Sequence, residues 1–354
     1  MKEVSDLSTY SVRSGRAHAV TESKMTREMT PTEAVERYLK EKRPNVSEST
    51  LYNNKCALNQ FTDFCEQEDI TQLSEIDSFH LSDFKLHRQE QVSDVTVYNN
   101  LCVVRVFIRW AASRDIVESG LAESMILPNP DDAREAKIEP ETADQILDYL
   151  DQFEYATLRH ILFALLWDTG FRMGTVRALD LGDYHPDEQY VSINHRPETD
   201  TPLKNGLSAE REVNLHQWVC DIIDDYVQIN RPSITDDYGR KPVLATQHGR
   251  PNATNLRAHI NALTRPCHYT GECPHNRNQD DCEAAQYRYS QRCPSSVSPH
   301  PIRRSTITAW LNDGHSKELL SDRMDVSTDT LDKHYDARTE QEKRQLRREQ
   351  FDMN

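Results

Sequence analysis

The run SPHPIRR at 298–304 sets His300 and Arg303 three residues apart, on one face of a helix, and Tyr335 follows downstream near the chain's end. A second arginine, Arg172, stands far upstream in the run DTGFRM at 168–173. A phenol can attack the phosphorus of a phosphodiester, and guanidiniums can hold the charge that builds on its oxygens. Taken singly, each residue is ordinary. An arginine after an apolar helix is usually an ion-pair partner, His-x-x-Arg recurs by chance, and Tyr335 is one of 14 tyrosines. Their order and separation make the set worth pursuing.

The elements that must position them are mostly helical. Thr30 to Glu33 reads as a capping box with Pro31 at the first helical position, opening a helix through Ala34, Val35, Tyr38 and Leu39. Leu51, Leu58, Phe61 and Cys65 share the stripe of a second helix. A short helix near 80–88 and one from 94 to about 114 complete an all-helical domain over 29–130. The first 28 residues read as a flexible polar tail and 131–139 as a linker.

From 140 a second, mainly helical domain runs to the end. Residues 158–167 are apolar nearly all round and should be buried. Gly170 breaks that helix, which resumes over 171–179. Alternating strands at 190–193 and 211–215 flank a polar turn carrying Lys204. Helices are expected near 218–226, 252–263, 303–312 and 330–335. The fold class is therefore mainly α with a small β-sheet.

Composition bounds the partners. The chain carries 58 acidic residues against 42 Lys plus Arg, a net charge of −16, which disfavours a nucleic-acid surface. The acids are spread along the chain, as in a solvated shell suited to high salt. At about 1 M salt the Debye length falls to about 3 Å, so local cationic clefts decide binding. No apolar run reaches a membrane span and no signal-peptide core is visible, so a soluble cytoplasmic protein is expected, with no membrane partner.

Residues 29–345 resemble the tyrosine recombinases, the phage-type and Xer-like integrases. The helical domain is similar to their core-binding domain. DTGFR at 168–172 with Leu179 and Asp183 looks like their first arginine box, the segment from Lys204 to Val213 like their lysine hairpin, and HPIR at 300–303 like their second box. Tyr335 stands where the nucleophile belongs. The fold this implies is an all-helical core-binding domain followed by an α+β catalytic domain over 140–354.

The resemblance implies a site-specific recombinase or integrase. Arg172 and Arg303 would clamp the phosphate, and Tyr335 would form a 3′-phosphotyrosyl link. Lys204 would protonate the leaving 5′-oxygen, and His300 would hydrogen-bond the phosphate or take the tyrosine proton. No cofactor is needed for that chemistry. Double-stranded DNA is the implied partner, clamped between the domains, with a dimer or tetramer on DNA and nucleoid association. The segment 336–354 would pack in trans on a neighbour. Candidate phosphate contacts are Lys55, Arg105, Arg109, Arg250 and Arg304.

Two positions depart from the family pattern. Thr175 replaces an acid, and Asp325-Val326 replaces a Gly-His pair, where Val326 cannot donate a hydrogen bond. A salt-adapted branch of the family is expected to carry this Met-Asp-Val pattern. A catalytically weak DNA-binding regulator is the first alternative, and a zinc-dependent interaction protein is the second.

Cysteines supply a separate signal. Cys267, Cys273, Cys282 and Cys293, with His275 as substitute ligand, lie in one polar window at 267–293 and could fill a tetrahedral structural zinc site beside His300. Cys56, Cys65, Cys102 and Cys220 are expected to be buried small hydrophobes.

Overall fold

Thr30 and Glu33 close the expected box reciprocally: the Glu33 N–H donates to Thr30 Oγ1 at 3.2 Å, and the Thr30 N–H donates to the Glu33 carboxylate at 3.0 Å. Pro31 then opens α1, Pro31–Lys42. The computed structural model describes residues 28–129 and 137–335, with Gln341, Arg344 and Arg348 beyond them. The N-terminal tail, most of the linker and the rest of the segment 336–354 lie outside the described residues. By internal contacts the chain divides into two compact units, Met1–Arg134 and Glu135–Asn354.

The first unit is built from α1, α2 (Glu48–Gln67), α3 (Ser78–Gln89) and α4 (Asp94–Ala112). The apolar stripes predicted for α2 and α4 meet in one core containing Leu58, Phe61, Phe84, Leu101, Val104 and Phe107. Phe61 packs edge-on against Phe84 with centroids 5.3 Å apart. Cys65 is buried here, but Cys56 is exposed and Cys102 only half-buried, contrary to expectation. The buried side of α2 runs through Leu51, Asn54, Ala57, Leu58 and Phe61, and Cys56 lies off it.

The second unit opens with α5 (Pro140–Phe153) and α6 (Leu158–Thr169), continues to α7 (Met173–Ala178), and then forms strands β1 (Tyr184–His185), β2 (Tyr190–Ile193) and β3 (Arg211–Asn214). The strands make a three-stranded antiparallel sheet in the order β1-β2-β3, with Val191 opposite Val213 and Ile193 opposite Arg211. Helices α8 (Gln217–Asp225), α9 (Ala253–Leu263), α10 (Pro266–Tyr269), α11 (Pro299–Asn312), α12 (Lys317–Met324) and α13 (Thr328–His334) follow. The fold class is the one the sequence predicts. The elements it missed, β1, α10 and α12, are short enough that their periodicity carries little signal.

Helix α6 is the unit's axis. Every residue from Ile161 to Leu166 is fully buried, as its all-round apolar pattern predicts. Burying each Leu or Phe contributes about 1.5–3 kcal/mol, which fixes this helix and whatever hangs from its end. No helix among the described residues is long and apolar enough to cross a membrane.

Candidate functional site

Arg172 hangs from the end of α6. Gly170 stops that helix with φ +61°, a left-handed conformation, and a Cβ there would stand 3.1 Å from the Met324 sulfur. The chain reverses and places Arg172 as the N-cap of α7, its guanidinium partly exposed. The Gly170 carbonyl accepts a 2.8 Å hydrogen bond from Arg303 Nη1. One turn thus orients both arginines.

Arg303 and His300 sit in the first turns of α11, with Pro299 at its first position. Arg303 is on the buried face, 2% exposed, and His300 is exposed. Tyr335 caps α13 and is 7% exposed, its ring packed with Leu311, Leu320, Met324, Val326 and Leu331. The Tyr335 side chain is one of the groups that act on the charge of Arg303. Lys204 lies in the turn between β2 and β3, exposed, as the predicted hairpin requires. These residues line one pocket of about 530 Å3, together with Asn205, Arg304, Asp325 and Val326. All five residues read from the sequence as catalytic therefore converge, although they span residues 172 to 335 of the chain.

Packing several cations into one pocket has an electrostatic cost. Desolvation and then the neighbouring Arg172 pull Arg303 down to about 10, which leaves it charged at neutral pH. Partial desolvation, followed by the charges of Arg303, Lys204, Arg304 and Arg172, holds His300 below the ordinary imidazole range. Although exposed in total area, the imidazole turns part of its ring into the pocket. A neutral imidazole at pH 7 can accept a proton, which suits a base.

The same shift predicts a pH response. A histidine depressed on folding costs nothing above its unfolded pKa of about 6.5, and stability is lost as pH falls below that value. The melting midpoint of the wild type should therefore fall more steeply than that of His300→Gln between about pH 6.5 and 5. Parallel curves would mean that His300 does not feel those cations.

The structure adds partners the sequence reading lacked. Asp325 pairs with Arg172 and accepts from Asn205 Nδ2 at 2.8 Å. Arg211, on β3, stacks over Phe171 at 5.3 Å and donates to the Arg323 carbonyl at 2.9 Å, bracing the C-terminal end of α12. The signal for Asp325 was its place where a glycine is usual. That for Asn205 was its place beside Lys204. Thr175 is buried on α7 and Val326 lines the pocket.

One proposed DNA contact is corrected. The Arg250 side chain is only 5% exposed and is paired with Asp180 and Asp236, which also hold Arg240 and Arg196, so it ties these loops together. A single sequence cannot distinguish such an arginine from a surface one. Arg109 is exposed but engaged with Glu123 at 2.9 Å. Lys55 is exposed on the first unit, Arg105 is half-buried with an unpartnered buried Nε, and Arg304 lines the pocket.

The cysteine window is arranged less simply. Among the described residues no three His, Cys, Asp or Glu side chains form a group that could hold a metal ion. The four thiols nevertheless lie close enough to interact. Burial raises the Cys267 thiol, Arg265 lowers it, and Cys293, Cys273 and Cys282 raise it again. They share a neighbourhood without sharing a coordination sphere, and all four are half-buried. His275 turns to Ser295 instead, with Nε2 2.9 Å from its hydroxyl. Cys220, outside the window, is buried as expected.

Comparison with known proteins gives this geometry a context. Residues 32–125 match the phage integrase SAM-like domain. Of the solved structures it resembles, the Tn1549 transposon integrase in complex with transposon right-end DNA aligns over 92% of this chain and 100% of that one, at 16% identity and a TM-score of 0.68. The chain has the tyrosine recombinase fold. A lambda integrase dimer bound to a core site aligns over 87% of this chain and 77% of that one, at 11% identity and a TM-score of 0.63. No curated protein matches the chain. Within the tyrosine recombinase fold the pocket residues come from the α6–α7 turn, the β2–β3 connection, the start of α11, the α12–α13 connection and α13 with its end.

Proposed function

We propose that this protein is a site-specific DNA recombinase that cleaves and rejoins strands through a 3′-phosphotyrosyl intermediate. The observation that carries the reading is the single pocket gathering Arg172, Lys204, His300, Arg303 and Tyr335. Arg172 and Arg303 hold the non-bridging oxygens of the scissile phosphate as fixed, permanently charged forks. Tyr335 Oη attacks the phosphorus, its proton passing to His300, while the P–O5′ bond breaks and Lys204 protonates the leaving oxygen. A 5′-hydroxyl from a second strand reverses the step, so the phosphodiester energy is conserved. Double-stranded DNA is the substrate, and exchange requires more than one protomer on it. With a net charge of −16, binding would rest on local cationic surfaces such as this pocket.

The test is covalent capture. Nicked duplexes tiling the DNA that flanks the protein's own coding region lose the freed 5′ end after cleavage and trap the intermediate. A protein–DNA adduct resistant to denaturant is the expected result. Duplexes that bind without forming any adduct would leave a non-catalytic DNA-binding relative as the better reading.

The cysteine window belongs to the same proposal as a structural zinc site, a brace for α11. Three of its thiols open tight turns: Asn276, at φ +52°, donates to the Cys273 carbonyl at 3.1 Å, Ala285 to that of Cys282 at 2.8 Å, and Ser296 to that of Cys293 at 3.1 Å. Between 267 and 293 only Ala284 and Ser290 are buried, too little to order the segment by apolar packing. Zinc would draw Cys267, Cys273, Cys282 and Cys293 inward, with His275 as the substitute. Elemental analysis of purified protein should find about one zinc per chain, reduced in Cys282→Ser. Metal-free protein with an undiminished melting midpoint overturns this part alone.

A further inference from the structure

Asp325 supplies the only carboxylate among the described residues lining the cationic pocket. Both of its oxygens are engaged there. One pairs with Arg172 Nη1, and the other accepts from Asn205 Nδ2 at 2.8 Å. Its backbone carbonyl lies 3.4 Å from Arg303 Nη2. The residue ends α12 at φ +51°, a conformation more readily given to Gly or Asn, and its side chain is 16% exposed. A partly strained backbone thus holds an anion against one of the two guanidiniums that would grip a phosphate.

A carboxylate with its oxygens on a guanidinium and an amide reproduces the charge and spacing of two non-bridging phosphate oxygens. We propose that Asp325 is a built-in stand-in for the substrate phosphate: it holds Arg172 and Asn205 in place across the pocket and must yield Arg172 when a phosphodiester enters. This rests on the phosphodiester reading of the pocket given above. Two anions cannot share Arg172 at contact distance without repulsion, so entry requires the carboxylate to swing aside. A phosphate that reaches only Arg172 exchanges one anion for another and gains little. One that also reaches Arg303 gains a second guanidinium. The carboxylate therefore selects against loosely seated backbone phosphates, a role that the bland alternative, a structural ion pair, does not have.

The experiment titrates inorganic phosphate at constant ionic strength, read by phosphorus NMR line broadening, against four proteins: wild type, Asp325→Asn, Asp325→Gly and Arg172→Ala. Asn and Gly both accept the left-handed backbone, so both variants should fold. Phosphate should bind about tenfold more tightly to both Asp325 variants, equivalent to about 1.4 kcal/mol. Unchanged or weaker binding in both would overturn the inference and make Asp325 a structural partner of Arg172. The underlying reading is checked separately: Arg172→Ala should lose phosphate binding, and if it binds as the wild type does, the pocket is not the phosphate site at all.

Discussion

Tyr335→Phe should form no covalent DNA adduct while binding DNA as the wild type does. In the proposed mechanism the phenol oxygen is the nucleophile, and removing it leaves the rest of the pocket in place. The phenyl ring keeps its packing against Leu331, Leu320 and Met324. The variant loses a polar neighbour of Arg303, and Arg303 retains the Gly170 carbonyl as an acceptor, so the melting midpoint should change little. Denaturing gels of the trapped reaction and a melting curve separate the two effects. An adduct persisting in Tyr335→Phe would move the nucleophile elsewhere and dismantle the proposed mechanism.

Arg303→Ala should slow adduct formation by about 10²–10³-fold at saturating DNA, the scale expected when one preorganised donor to a developing oxyanion is removed. Arg303→Lys is the sharper variant. Lysine keeps the charge but not the planar fork that spans the Gly170 carbonyl and the Asp325 carbonyl. If geometry matters as well as charge, Lys should recover little of the loss, with about 10²-fold remaining. Single-turnover rates on the same nicked duplex give the comparison. A Lys variant near the wild-type rate would reduce Arg303 to a point charge and remove the bidentate clamp. Because Arg303 is 2% exposed and anchors the α6–α7 turn, melting midpoints must accompany both rates.

The five residues that share the pocket were picked out by their order along the chain and by the family resemblance. A His and an Arg three apart, an Arg after a glycine-broken apolar helix, and a downstream Tyr mean little singly and gain meaning only as an ordered set. Helix α6 announced its burial, and the Thr30–Glu33 box announced the start of α1. Long amphipathic helices can be read because apolar periodicity repeats over many turns. Short elements such as β1, α10 and α12 escaped because they hold too few turns to repeat it.

Charge partners were the other blind spot. Arg250 and Arg172 look alike in the chain, yet one is ion-paired with Asp180 and Asp236 and the other opens into a pocket. Ion pairs form between residues far apart in sequence, so no local pattern encodes them. By itself the sequence determined the helical architecture, the small sheet and the residue types able to attack and hold a phosphodiester. Only the tertiary structure decided that those five residues share one pocket, that Gly170 joins the two arginines through its carbonyl, and that Asp325 already occupies Arg172. The reason is physical: side-chain chemistry is carried by each residue alone, but the field and contacts that direct it arise from segments brought together by folding.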